Sequence, residues 1–296
     1  MKLLLLGAHG FIGRHTAVAL ASLGHEVTRA DITPSDDPGY LTIDAHNPDF
    51  AALFQRHSFD VCINCSGAAS VPQSFADPAH DFTLNTLRVV QILEALRVAG
   101  GKTRLLHLSS AAVYGNPVTN PICEDDAPRP VSPYGWHKLH AEQICREYSN
   151  LHGVGTLSLR IFSAFGPGLR KQLFWDIFQK ARRGQRVDLS GTGEETRDFI
   201  FVEDIAACIG LLIRDCHFDG RAVNVASGEA VTVRTAATAL LAALRWDREL
   251  VFSGDKRLGD PSFWRADISS IRNLGFRPAH TLEHGLEKVA QWMLQS

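Results

Sequence analysis

Leu3-Leu4-Leu5-Leu6-Gly7-Ala8-His9-Gly10-Phe11-Ile12-Gly13, at the start of the chain, is a four-residue apolar run followed by G-x-x-G-x-x-G. A short, continuously apolar run reads as a strand buried on both faces. The glycines let the chain turn sharply, bring backbone close to a pyrophosphate, and pack the next helix against the strand. The amphipathic stretch from Arg14 to Leu23, closed by Gly24, supplies that helix. Its N-terminus offers unpaired N–H groups and positive partial charge to phosphate. Three glycines alone would mark only a tight turn. Strand, turn and helix together mark a dinucleotide site, lined by Gly7, His9, Gly10, Phe11, Ile12 and Gly13.

Outward from this unit, strands and helices alternate. Glu26–Ala30, Leu41–Ile43, Val61–Cys65, Leu105–Leu108 and Thr156–Ile161 read as strands. Asp49–Arg56, Ala79–Val98 and Pro133 to about His152 read as helices. The short connections predict an α/β fold, a Rossmann-like doubly wound parallel sheet with helices on both faces. The pattern changes at Gly166-Pro167-Gly168. Beyond it, Lys171–Arg183, Glu203–Arg214, Thr232–Leu244, Ile268–Asn273 and Leu282–Leu294 read as helices and Ala222–Val225 as a strand. The chain is therefore expected to divide into an NAD(P)-binding domain, residues 1–165, and a smaller substrate-binding lobe, residues 166–296. Some segments of the lobe should cross back to the first domain.

Composition removes several classes of function. Hydrophobic residues make up 45% of the 296 and charged residues 21%, which suits a globular protein with a sizeable core. Thirty basic residues face 32 acidic ones, and no basic run suggests nucleic acid or a membrane surface as a partner. No apolar stretch is long enough to cross a bilayer, and the N-terminal run is too short for a secretion signal. Six scattered cysteines then read as reduced thiols, and a cytoplasmic location is expected. Cys62 and Cys65 form C-x-x-C on a strand, where a three-residue offset sends them to opposite faces. No second Cys or His pair has zinc-like spacing, so both are expected in the core and no metal is expected.

Asp31 follows the second strand. A carboxylate there accepts hydrogen bonds from the adenosine ribose and repels a 2′-phosphate, which favours NAD over NADP. Arg29, which could pair with that phosphate, leaves NADP open, and Asp31 could instead cap the following loop. Asp44, after the third strand, could approach the adenine edge or remain a solvated loop carboxylate. Tyr134-Gly135-Trp136-His137-Lys138 places Tyr134 and Lys138 one helical turn apart on one face. A phenol with a reference pKa of about 10 is a poor base at neutral pH. A neighbouring ammonium and an oxidised nicotinamide ring both favour the phenolate. Such a tyrosine exchanges a proton with an alcohol or carbonyl while hydride moves. Ser109-Ser110 ends a parallel strand, where such sheets place their ligands, and a serine there can hold the reacting oxygen.

In combination, the glycine pattern, Ser109-Ser110-Ala111-Ala112-Val113-Tyr114-Gly115 and the Tyr134/Lys138 pair resemble the extended short-chain dehydrogenase/reductase family. They are most similar to its nucleotide-sugar branch of epimerases, 4,6-dehydratases and 4-ketoreductases. The resemblance spans nearly the whole chain. It implies that Ser110, Tyr134 and Lys138 are catalytic, that Ser66 and Gly67 line the cofactor, and that Asn85 supports the site. Arg160-Ile161-Phe162-Ser163 resembles the family's R-x-F-N, with Ser163 in place of the usual Asn on the substrate side. Arg197 and Arg257 match arginines that hold the nucleotide diphosphate, a role that guanidinium forks suit. Ala111 and Ala112 stand where the dehydratases carry an Asp-Glu pair, so the general acid needed to expel hydroxide is missing.

Two enzymes then remain, both acting on a nucleoside-diphosphate sugar. The stretch Gly166–Asp176 is closer to sugar ketoreductases, and the chain is short for a hexose epimerase. The expected activity is therefore NAD(P)H-dependent reduction of the C4 carbonyl of a 4-keto-6-deoxy sugar. The alternative is an NAD-dependent 4-epimerase. A non-catalytic dinucleotide sensor has no need of the proton-transfer set. The family also leads us to expect a homodimer, with helices Ala79–Val98 and Pro133–His152 packed across a two-fold axis.

Overall fold

The computed structural model describes residues 1–255, 259 and 261–296. Its main sheet has seven parallel strands in the order Ala222–Val225, Thr156–Ile161, Arg104–Ser110, Val61–Asn64, Lys2–Leu6, Glu26–Asp31 and Tyr40–Thr42. From Lys2–Leu6 the chain winds one way to Tyr40–Thr42. It then returns to pair Val61–Asn64 on the other side of the first strand. The direction of winding therefore reverses at Lys2–Leu6, and the carboxyl ends of the two strands at such a switch are where these sheets bind ligands.

Leu3 to Leu6 are all buried because both faces of the sheet are covered. Leu3 and Leu5 pack with Ala17 and Leu20 of helix Phe11–Ser22 on one face. Leu4 and Leu6 pack with Val89, Ile92 and Leu93 of helix Arg88–Val98 on the other. Cys62 joins the second cluster and Cys65 packs against the first, so the C-x-x-C points both ways across the sheet. All six thiols are free.

The C-terminal stretch serves two cores. Strand Ala222–Val225 extends the main sheet, and helix Val202–Asp215 sends Ile205, Ile209 and Leu212 into the same cluster as Ala17 and Leu20. Helices Gln172–Arg183, Val233–Leu244 and Leu282–Leu294 build a separate core around Phe165, Phe178, Leu240 and Val289. Among the described residues, no helix is long and apolar enough to cross a membrane.

One expected helix is interrupted. The apolar spacing of Ala79–Val98 reads as continuous, yet the chain forms Pro78–Phe82, a π-helical turn at Thr83–Leu87, and then Arg88–Val98. Such π turns concentrate at functional sites. This one carries Asn85. The short helix Val71–Ala76, capped by Ser70, has too few residues to show periodicity in the sequence.

Candidate active site

Helix Pro133–His152 starts sharply because the Ser132 side chain accepts from the Gly135 N–H at 3.1 Å and Pro133 occupies the first turn. Tyr134, Lys138 and Glu142 follow at four-residue intervals and are all buried toward the sheet. The Lys138 ammonium donates to the Leu108 carbonyl at 2.9 Å and lies 5.9 Å from the centre of the Tyr134 ring. Burial pulls Lys138 down to about 8, against the pull of Asp81 and Glu142. Burial also raises Tyr134 to about 12, opposed by a hydrogen bond to the Ser110 hydroxyl. Without cofactor, Tyr134 is therefore a neutral phenol held by Ser110, a proton donor in waiting. Ser110, Tyr134 and Lys138, read separately from strand and helix, come together at the sheet's carboxyl edge.

The glycine turn beside them has the features of a dinucleotide site. Gly7 has φ +77°, and a Cβ there would lie 2.7 Å from the backbone of Cys65 and Ser66. That close approach brings the two strand ends together. Gly10, Phe11, Ile12 and Gly13 then form the helix start, whose cap, Gly10, has no side chain to fill the anion site. Asp31 accepts from the His9 N–H at 2.9 Å, and Tyr40 stacks on the His9 ring at 5.1 Å. Arg29 pairs with Asp37 at 3.1 Å. Asp44 accepts from the N–H groups of His46 and Asn47, so the structure gives its carboxylate a turn-capping role.

Ser66 is held by Asn64, whose Oδ1 accepts from the Ser66 N–H at 3.1 Å. A Cβ on Gly67 would strike Asn85 Oδ1 at 2.7 Å. Asn85 itself is 1% exposed, and neither atom of its amide has a partner. A buried amide left open on both atoms is costly without a ligand. With the glycine cradle, it marks a place built for polar groups that the chain does not supply.

On the substrate side, Ser163 and Arg197 are neighbours. Strand Ser163–Phe165 pairs with Phe199–Phe201, and the Ser163 N–H donates to the Asp198 carbonyl at 2.9 Å. The Arg197 guanidinium donates to the Thr196 carbonyl and lies 5.8 Å from the Trp264 ring centre. Asp198 clasps this segment to the rest of the molecule. It accepts from the Ser227 N–H and hydroxyl and from the N–H groups of Gly228 and Ala266. Burial raises its carboxyl to about 6 even against those bonds. Arg257, the second expected diphosphate arginine, lies outside the described residues.

Arg160, which opens the R-x-F-N-like stretch, has a structural role. It is 7% exposed and forms an ion pair with Glu142 at 2.8 Å. It also donates to the Tyr114 hydroxyl at 2.7 Å, which in turn donates to Asn224. This network braces helix Pro133–His152 from beneath, and Arg160 cannot leave it for a ligand without stranding Glu142. The four-residue step from Lys138 to Glu142 could have revealed the carboxylate from sequence. The pair of buried Asp81 and half-buried His137, 2.6 Å apart, could not be read that way, since it joins two helices far apart in the chain.

With this geometry in hand, known proteins give a consistent comparison. The model of the NAD dependent epimerase/dehydratase family matches residues 3–226. A UDP-glucose 4-epimerase of Mycolicibacterium smegmatis is 29% identical, covering 99% of this chain and 98% of its own. UDP-glucuronate 4-epimerase 3 of Arabidopsis thaliana is 27% identical over 99% of this chain and 76% of its own. Among solved structures, the UDP-glucuronic acid 4-epimerase of Bacillus cereus in complex with UDP-glucuronic acid and NAD has a TM-score of 0.90 at 25% identity, covering 100% of this chain and 99% of its own. The glycine turn, the paired strand ends and the Ser110–Tyr134–Lys138 set all fall within the matched residues, and the chain belongs to the NAD dependent epimerase/dehydratase family.

Proposed function

We propose that this protein is an NAD-dependent 4-epimerase of UDP-sugars, with a UDP-hexose or UDP-hexuronate as substrate. The observation that carries the reading is the full-length likeness to 4-epimerases of a chain in which Ser110, Tyr134 and Lys138 converge, with alanines at 111 and 112 where dehydratases carry an Asp-Glu pair. The ketoreductase reading rested on the Gly166–Asp176 stretch and on chain length. Full-length alignment with 4-epimerases, over 99–100% of this chain, removes length as an objection and favours epimerisation. Solved relatives carrying NAD support that cofactor, and so does the placement of Asp31 relative to Arg29.

Bound NAD supplies a hydride acceptor that becomes the donor for the return step. Tyr134 takes the proton from the C4 hydroxyl as C4 is oxidised and gives it back after the keto-sugar has turned its other face. Ser110 holds the reacting oxygen, and the Lys138 ammonium favours the phenolate. Arg197 and Arg257 pair with the diphosphate, and Ser163 lies beside it. On the same reading the protein is a homodimer. Phe82 and Trp136, 41% and 48% exposed, present an apolar face on adjacent helices that a second copy would cover.

The test uses purified protein with UDP-glucose or UDP-glucuronate and NAD, and in parallel a 4-keto-6-deoxy nucleotide sugar with NADH. Interconversion of C4 epimers without net cofactor turnover supports the proposal. Stoichiometric NADH oxidation by the keto-sugar, with no epimerisation, overturns it.

A further inference from the structure

His107 and Asn64 face each other in register on adjacent strands of the main sheet, and each is 1% exposed. The orientation of the Asn64 amide is fixed by its neighbour. Its Oδ1 accepts from the Ser66 N–H at 3.1 Å and from the Ser66 hydroxyl at 2.5 Å. Only the amide oxygen can accept from that N–H, so Nδ2 is the atom that faces His107. His107 Nδ1 lies 3.4 Å from it. A donor on one side requires an acceptor on the other, so Nδ1 carries the lone pair and the ring proton sits on Nε2. That Nε2 is buried and has no hydrogen-bond partner among the described residues.

A buried ring N–H without a partner is a cost, and an apolar side chain at this position would not carry it. What the imidazole supplies in return is the acceptor at Nδ1. Burial and the Lys138 charge hold His107 well below the usual imidazole range, which keeps that lone pair available. Through Asn64 the ring holds the turn from Ser66 into Gly67. The Ser66 nitrogen abuts the glycine turn, 2.7 Å from where a Cβ on Gly7 would lie. Gly67 has φ +113°, and a Cβ on it would meet Asn85 Oδ1 at 2.7 Å. The Ser66–Gly67 turn therefore stands between the glycine turn and the open amide of Asn85. Without an acceptor at His107, Asn64 Nδ2 is a buried donor left unmet, and the amide is free to turn away from Ser66.

We propose that His107 is a positioning residue for the cofactor, whose Nδ1 lone pair fixes the Asn64 amide so that its oxygen holds the Ser66–Gly67 turn against the glycine turn. The role rests on the reading of that turn as part of the NAD site. Isotope-labelled histidine NMR identifies the tautomer in cofactor-free protein, with the His107 signals assigned by their loss in His107→Asn. The Nε2–H tautomer is expected, and the Nδ1–H tautomer overturns the proposal. Calorimetric titration then measures NAD binding. His107→Leu removes the acceptor and should weaken binding by roughly threefold to tenfold, the worth of one hydrogen bond. His107→Asn places its Oδ1 where the imidazole holds Nδ1 and should bind NAD within about twofold of wild type. Both substitutions shrink the same core side chain, so a merely space-filling role would move them together. Should His107→Leu fail to fold, His107→Met carries the same expectation. Equal NAD affinity in His107→Leu and His107→Asn, with wild type binding NAD, overturns this role and leaves the cofactor site standing. A wild type that binds no NAD removes the site and this role with it.

Discussion

Gly7→Ala tests whether the two strand ends must approach as closely as they do. The new Cβ would lie 2.7 Å from backbone atoms of Cys65 and Ser66, whereas ordinary contact begins at 3.4 Å, so the segments would part by about 0.7 Å. Backbone cannot swing aside as a side-chain tip can, and forced overpacking of this kind costs about 1–3 kcal/mol. The left-handed conformation at φ +77° adds roughly 1–2 kcal/mol for an L residue. Gly24→Ala is the control, with φ +80° and nothing within 4 Å of the new Cβ. It carries the conformational cost alone. Thermal unfolding should therefore fall by roughly 3–8 °C for Gly7→Ala and by only about 2–3 °C for Gly24→Ala. Calorimetric titration with NAD should show binding weakened by about tenfold or more in Gly7→Ala and unchanged in Gly24→Ala, because misplacement on this scale is costly at a site built on backbone contacts. Equal behaviour of the two variants in both assays would refute the placement of the cofactor over this turn.

Three further outcomes follow from the site. Tyr134→Phe should lower turnover by about a hundredfold or more while leaving NAD affinity near wild type, as measured by steady-state kinetics beside NAD titration. Glu142→Ala strands the buried Arg160 guanidinium and should cost about 3–5 kcal/mol in denaturant unfolding, well above the cost of an exposed carboxylate. The pH profile of kcat/KM should fall on the alkaline side near pH 8. Burial places the Lys138 ammonium there, and loss of its proton above that pH removes the charge that favours the phenolate.

Much of this molecule was legible because its signals are local. Leu3–Gly13 contains a strand, a turn and a helix start within one short segment. Tyr134 and Lys138 share a face by helical spacing alone. Position 31 gains its meaning from where the second strand ends. The features that escaped are those made by contact between distant segments. The π turn at Thr83–Leu87 buries Asn85 and Thr86, polar residues that a pattern of apolar positions does not register. Asp81 and His137 are 56 residues apart and each looks like an ordinary helix residue until they meet. Arg160 carries the motif of a substrate-side segment, but strand alternation turns it inward, where Glu142 waits at the second helical step beyond Tyr134. The choice between reduction and epimerisation was least legible, because both reactions need the same three side chains.

The most direct test of epimerisation is the fate of the hydrogen at C4. UDP-glucose or UDP-glucuronate carrying deuterium at C4 is incubated with the protein and NAD, and the recovered epimers are analysed by NMR and mass spectrometry. The account predicts that the C4 epimer forms with its deuterium retained, none lost to solvent, and no net reduced cofactor released. Formation of the epimer with deuterium washed out, or no epimer at all alongside active reduction of a 4-keto sugar, would contradict it.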